Sequence, residues 1–181
     1  TKNPTCEKIC RLYKKKLGVG KAKEYKRGKN TIEKDEVNLV NFIIGFYGKR
    51  QTAIHGEGTT KALLLENAKV TKDAIILEFG EKGKQVGSVF IPNEKMANGV
   101  NYYEVAKRII NKRKAETKGL SAKEHREEPL IVFRGEDGKP STKTKDGVTS
   151  TMALDKKGIY DIVMKNLGLT RVHDIRHTFY S

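Results

Sequence analysis

Near its end the chain runs Val172-His173-Asp174-Ile175-Arg176-His177-Thr178-Phe179. His173, Arg176 and His177 stand at i, i+3 and i+4, so a helix through this segment carries all three on one face. The residue types suit a phosphodiester. A guanidinium is a planar fork that bonds two phosphate oxygens at once. An imidazole moves a proton near neutral pH.

Working back from that segment, residues 151 to 167 read as a helix with Met152, Ile159, Tyr160, Val163 and Leu167 inward, stopped by Gly168. Residues 135 to 150 have loop composition. Leu130-Ile131-Val132-Phe133 is a short apolar run after Pro129, expected to be extended. A helix is expected over residues 101 to 116. It turns Val105, Ile109 and Ile110 inward, with Lys107, Arg108, Lys112, Arg113 and Lys114 on its outer face. Ala74 to Phe79 and Gln85 to Ile91 predict a β-hairpin whose turn, Gly80-Glu81-Lys82-Gly83-Lys84, is basic. Residues 59 to 68 read as a short buried helix or turn. Thr31 reads as the N-cap of a helix, nearly buried all round, that ends around Gly48 and is followed by Lys49-Arg50. Ahead of it, residues 18 to 30 are a Gly- and Lys-rich connector, and residues 4 to 16 a short basic helix. The expected organisation is a basic helix and linker over residues 1–30, then a catalytic domain over residues 31–181. Its fold class is mostly α with one small antiparallel β-sheet (α+β).

Composition narrows the partner. The 181 residues include 37 Lys+Arg against 22 Asp+Glu, for a formal net charge of +15 and a pI near 9.7. That excess points to a polyanion. No run of about 18 apolar residues exists and no signal peptide is visible, so no membrane role and a cytoplasmic, nucleoid or nuclear setting are expected. Cys6 and Cys10, the only cysteines, are four apart on an expected helix. They read as free thiols rather than a disulfide.

His173-Asp174-Ile175-Arg176-His177-Thr178-Phe179 resembles the tyrosine recombinase (phage integrase) segment usually written HDLRHTF, which carries that family's His-x-x-Arg motif. The approach to it resembles the family as well. The Leu130-to-Phe133 strand, a loop, and a helix ending Lys165-Asn166-Leu167-Gly168-Leu169 stand in the family's order. The resemblance implies the DNA breaking-and-rejoining fold and a catalytic set of Arg50, Lys82, His173 and Arg176. Arg50 lies where the family has an arginine after a buried helix. Lys82, ahead of Lys84, lies at the hairpin turn where the family has its lysine. The two arginines would clamp the scissile phosphate, Lys82 would protonate the departing 5′ oxygen, and His173 would assist the nucleophile or bond a phosphate oxygen. Lys49, Lys84, Arg171 and His177 are the expected DNA-contacting residues. The partner implied is double-stranded DNA, with self-association into a tetrameric synapse, and neither metal nor cofactor is implied.

The sequence departs from the family at Ala53, where an acidic residue usually stands, and by an apparent insertion over residues 55 to 60. The family's nucleophilic tyrosine falls beyond the His-x-x-Arg helix. The expectation is therefore a fragment, starting at Thr1 and stopping at Ser181, that binds DNA without cleaving it, with Tyr180 a packing residue. Rival readings are a type IB topoisomerase-like enzyme, since Gly58-Thr59-Thr60 and Leu63 resemble a segment of that family, and a non-catalytic DNA-binding module. A third is a zinc hydrolase using His173 and His177 at helical i, i+4 spacing. Arg176 beside that pair counts against a cation. His55 and His125 are expected in exposed loops.

Overall fold

The computed structural model describes residues 22–47, 49–57, 61–80, 86–96 and 99–167. The first described element corrects the connector reading. From Ala22 onward the chain is a β-hairpin, β1 (Tyr25–Arg27) and β2 (Asn30–Ile32), turned at Gly28 with φ 59°. Ala22, Tyr25 and Ile32 are buried in the main core. Tyr25 also donates a 2.6 Å hydrogen bond to Asp161. Thr31 is therefore a strand residue whose amide bonds the Arg134 carbonyl, not a helix cap.

The helix starts later, at α1 (Lys34–Asn41), with Glu33 at the cap position. Glu36, Val37, Asn38, Leu39, Val40 and Asn41 are all buried, as the apolar run predicts for a central helix. It continues as a π-helical segment, Phe42–Phe46. After the short α2 (Thr52–His55), a 3-10 turn over Leu65–Asn67 leads into a three-stranded antiparallel sheet. Its strands are β3 (Ala68–Val70), β4 (Ala74–Gly80) and β5 (Val86–Pro92). β4 and β5 form the expected hairpin, with Ile75 opposite Ile91 and Leu77 opposite Val89 on the buried face. The edge strand β3 was not expected.

α3 (Tyr102–Glu116) follows, its N-terminus capped by the Asn101 side chain. It runs antiparallel to α1: Phe42 stacks on Tyr102 at one end, while Arg108 and Lys112 pair with Asp35 and Glu33 at the other. Arg113 is not on the outer face; it is 1% exposed. The turn-like α4 (Ala122–His125) carries a capping box between Ser121 and Glu124. Leu130 to Phe133 is extended and buried, held by isolated bridges. The expected loop of residues 135 to 150 contains most of a further hairpin, β6 (Thr142–Lys145) and β7 (Val148–Thr151). Its turn residues Asp146 and Gly147 both have positive φ, the signature of a type I′ turn. α5 (Lys156–Leu167) therefore begins five residues later than the sequence suggested, and it packs on α1. The fold class is mixed, helices with small antiparallel sheets, three among the described residues rather than the one expected.

The elements are locked together by ions rather than by apolar packing alone. Arg134, 2% exposed, bonds both carboxylate oxygens of Glu116 and the Gly138 carbonyl. Its Nε lies 3.4 Å from Glu33 and 3.5 Å from Glu36, within ion-pair reach but outside hydrogen-bond geometry. Arg113 bonds Glu116, Glu128 and the Pro129 carbonyl. Glu116 loses solvation by burial, yet the Arg134 bond and charge outweigh that and hold its carboxyl below the usual range.

Glu36 is the deepest acid, 2% exposed, accepting a 2.8 Å bond from the Val132 amide. Burial dominates there and pushes its pKa up to about 7, against the partial relief from Val132 and Arg134. Between about pH 4.5 and about pH 7 the native state thus holds a proton on Glu36 that the unfolded chain, with the ordinary glutamate value of 4.5, has released. This group's contribution is fully present below that lower value and is lost as pH rises through about 7. Glu36→Gln should remove this dependence. Urea midpoints from about pH 5 to about pH 8 should show the variant gaining on the wild type as pH rises, by up to about 3 kcal/mol. A constant offset across that range would show that Glu36 stays ionised.

Candidate active site

The sequence proposed eight site residues, and two of them, Lys49 and Arg50, lie among the described residues. Lys82 and Lys84 fall in residues 81–85, and Arg171, His173, Arg176 and His177 in residues 168–181, so these six lie outside the described residues.

Arg50 is exposed just past the end of the buried α1 and π-helical run. Its placement is determined on both sides in sequence. Before it, the Tyr47 ring packs on Phe42 and its hydroxyl donates to the Phe90 carbonyl of β5. Burial raises the Tyr47 pKa, with the Phe90 bond acting the other way. Lys49 places its ammonium 6.0 Å from the centre of the Phe79 ring on β4. After it, the Arg50 carbonyl accepts the Ala53 amide at 3.0 Å and opens α2, whose Ala53 and Ile54 are buried. Gln51 donates to the Tyr160 hydroxyl on α5 at 3.4 Å.

Arg50 thus stands between two elements. On one side is the β4–β5 hairpin, paired as far as Gly80 and Val86, with Glu81-Lys82-Gly83-Lys84 next in sequence after Gly80. On the other is α5, whose last residue, Leu167, is six residues before His173. The Arg50 guanidinium makes no ion pair among the described residues, unlike Arg27, Arg108, Arg113 and Arg134. A cation held by its backbone and left without a carboxylate can receive an anion from outside.

Ala53 carries no acidic function and is 4% exposed, so α2 contributes packing at that position. His55 lies at the end of α2 rather than in a loop. Its Nε2 is buried without a hydrogen-bond partner. His125 is the last residue of α4 and half-buried. Among the described residues no three His, Cys, Asp or Glu side chains are grouped to hold a metal ion, and no helix is long and apolar enough to cross a membrane. What the sequence reading missed is the interior network of Glu36, Arg113, Glu116, Glu128 and Arg134. Its one visible signal was charge inside apolar runs, as at Arg134 directly after Phe133.

No family model matches this chain, and no curated protein or solved structure matches it either.

Proposed function

We propose that the chain is the phosphate-activating part of a tyrosine recombinase, binding double-stranded DNA and assembling on it as a tetramer. The observation that carries this is Arg50: an exposed arginine just past a buried helix, without an ion pair among the described residues, next to Lys49, whose ammonium lies 6.0 Å from the Phe79 ring of β4. The resemblance of His173 to Phe179 to the family's motif supplies the rest. In this reading Arg50 and Arg176 bond the non-bridging oxygens and stabilise charge as the pentacoordinate state forms. A tyrosine oxygen forms a bond to phosphorus and the bond to the 5′ oxygen breaks. Lys82 gives that oxygen its proton, and His173 takes the proton of the tyrosine or bonds the phosphate.

The test is covalent trapping. The chain, extended by the tyrosine-bearing segment that the resemblance places beyond Ser181, is incubated with nicked duplexes of randomised sequence in the presence of a chelator. The expected result is a detergent-resistant protein–DNA adduct at the 3′ phosphate. Cleavage that stops with chelator and leaves no adduct would replace this reading with a metal hydrolase. Relaxation of any supercoiled plasmid through the same adduct would move it to the topoisomerases.

A further inference from the structure

The outward side of α3 carries two stripes of cations with different fates. Arg108 and Lys112 are one turn apart and both neutralised, by Asp35 at 2.8 Å and by Glu33 at 2.7 Å. Lys107 and Lys114 form the second stripe, seven apart with Asn111 between them, and Lys118 follows in the turn after the helix. None of these three has an ion pair among the described residues, although Lys107 lies over the Tyr103 ring.

The second stripe runs into a cleft of about 460 Å³ between the end of α3 and α4. Lys114, Lys118, His125 and Arg126 line it, over a floor that includes Thr117, Leu120 and Ala122. Its walls are fixed from inside. Arg113 ties α3 to Glu128 and the Pro129 carbonyl, Thr117 bonds the Arg113 carbonyl at 2.8 Å, and the Ser121 capping box sets α4.

The carboxylates around this cleft are already engaged. Glu116 and Glu128 serve Arg113, Glu127 pairs with Lys61 at 3.3 Å, and Glu124 belongs to the capping box. Glu66 is the one acidic residue in the lining. A half-charge at the helix C-terminus offsets part of one lysine, which leaves most of the cleft's positive charge without an internal partner. Because α1 and α3 are antiparallel, this cleft lies at the opposite end of the helix pair from Arg50.

We propose that this cleft and stripe bind the phosphate backbone of a nucleic-acid strand at a second site, distinct from the one around Arg50. A single small anion would need one or two of these cations. A row extending about 10 Å along a helix and on into the turn after it fits a ligand that repeats its charge. The site shares with the preceding proposal only the class of ligand, and it does not depend on strand transfer.

The experiment measures binding of labelled duplex and single-stranded DNA by anisotropy between about 50 and about 200 mM salt. The wild-type chain is compared with Lys114→Gln/Lys118→Gln/Arg126→Gln. The control, Lys72→Gln/Lys143→Gln/Lys145→Gln, removes the same charge from exposed positions elsewhere. The cleft variant should lose at least about ten-fold in affinity, and its log–log salt slope should fall by about two to three. The control should change far less. Equal losses in both variants, a cleft variant that binds as the wild type does, or binding of poly-glutamate but not of DNA would each overturn the proposal. In the extended protein, a cleft variant that still forms adducts at saturating DNA while Arg50→Ala does not would keep the two sites separate. Adducts that survive Arg50→Ala would overturn the reading of Arg50 and leave the cleft standing.

Discussion

Arg134→Ala should cost about 3–5 kcal/mol of folding stability, the range for removing one partner of a buried ion pair. Glu116 would keep a second cation in Arg113 and is one-fifth exposed, so it can adapt. Glu36 cannot. Arg134 is the one cation that any observed contact sets against it, and it is 2% exposed. Its carboxylate would then have the Val132 amide and little else. The loss should appear as a urea midpoint shift at neutral pH and as a melting temperature lower by about ten degrees or more. It should shrink below about pH 7, where Glu36 holds a proton and no longer needs the charge. Adding Glu36→Gln to Arg134→Met should recover most of the loss, since a neutral pair then replaces the ion pair and the introduced side-chain amide oxygen still accepts from the Val132 amide. A single-variant loss below about 1 kcal/mol would mean that water reaches Glu36.

Arg50→Ala should lower the rate of adduct formation by about 10²–10³-fold, the usual cost of one preorganised charge at a developing oxyanion. Stability should hardly change, because Arg50 is exposed and its only described structural bond is through the backbone carbonyl. Duplex affinity should fall modestly, with a salt slope smaller by about one, as for the loss of one phosphate contact. Arg50→Lys should recover the slope but little of the rate, because an ammonium lacks the two-pronged geometry. Single-turnover trapping at saturating DNA separates these effects, and an unchanged adduct rate in Arg50→Ala would remove Arg50 from the chemistry.

The parts of the fold legible in the sequence are those with a strong hydrophobic period. β4 and β5 alternate, α3 repeats at helical spacing, and α1 carries Val37, Leu39 and Val40 into the apolar run Phe42 to Phe46. β6–β7 was missed for the opposite reason. Thr142 to Lys145 and Val148 to Thr151 are exposed apart from the half-buried Thr151, so no apolar face marks them as strands. The Asp146-Gly147 pair was the available signal. β1–β2 was hidden among lysines and glycines, and only Tyr25 and Ile32 hinted at burial. Arg113 was assigned outward because charge is ordinarily solvated. Its burial depends on Glu128 and Pro129, fifteen and sixteen residues away, which no local pattern reveals. The exposed place of Arg50 past a buried helix was legible because a buried helix followed by a charge is a local pattern. The contacts of its neighbours Lys49 with Phe79 and Gln51 with Tyr160 are tertiary and came only from the structure.

The π-helical segment Phe42–Phe46 has a mechanical meaning for Arg50. It is one residue of slack wound into the shaft that carries this side chain. In a regular α-helix one residue is worth about 100° of rotation. Tightening the segment to α-helical pitch with all its residues kept would turn the chain leading to Arg50 by about a quarter-turn. The bearing of the arginine is thus set by an irregular turn some four to eight positions earlier, and deleting one residue there should relax it to a regular helix with the following chain kept in phase.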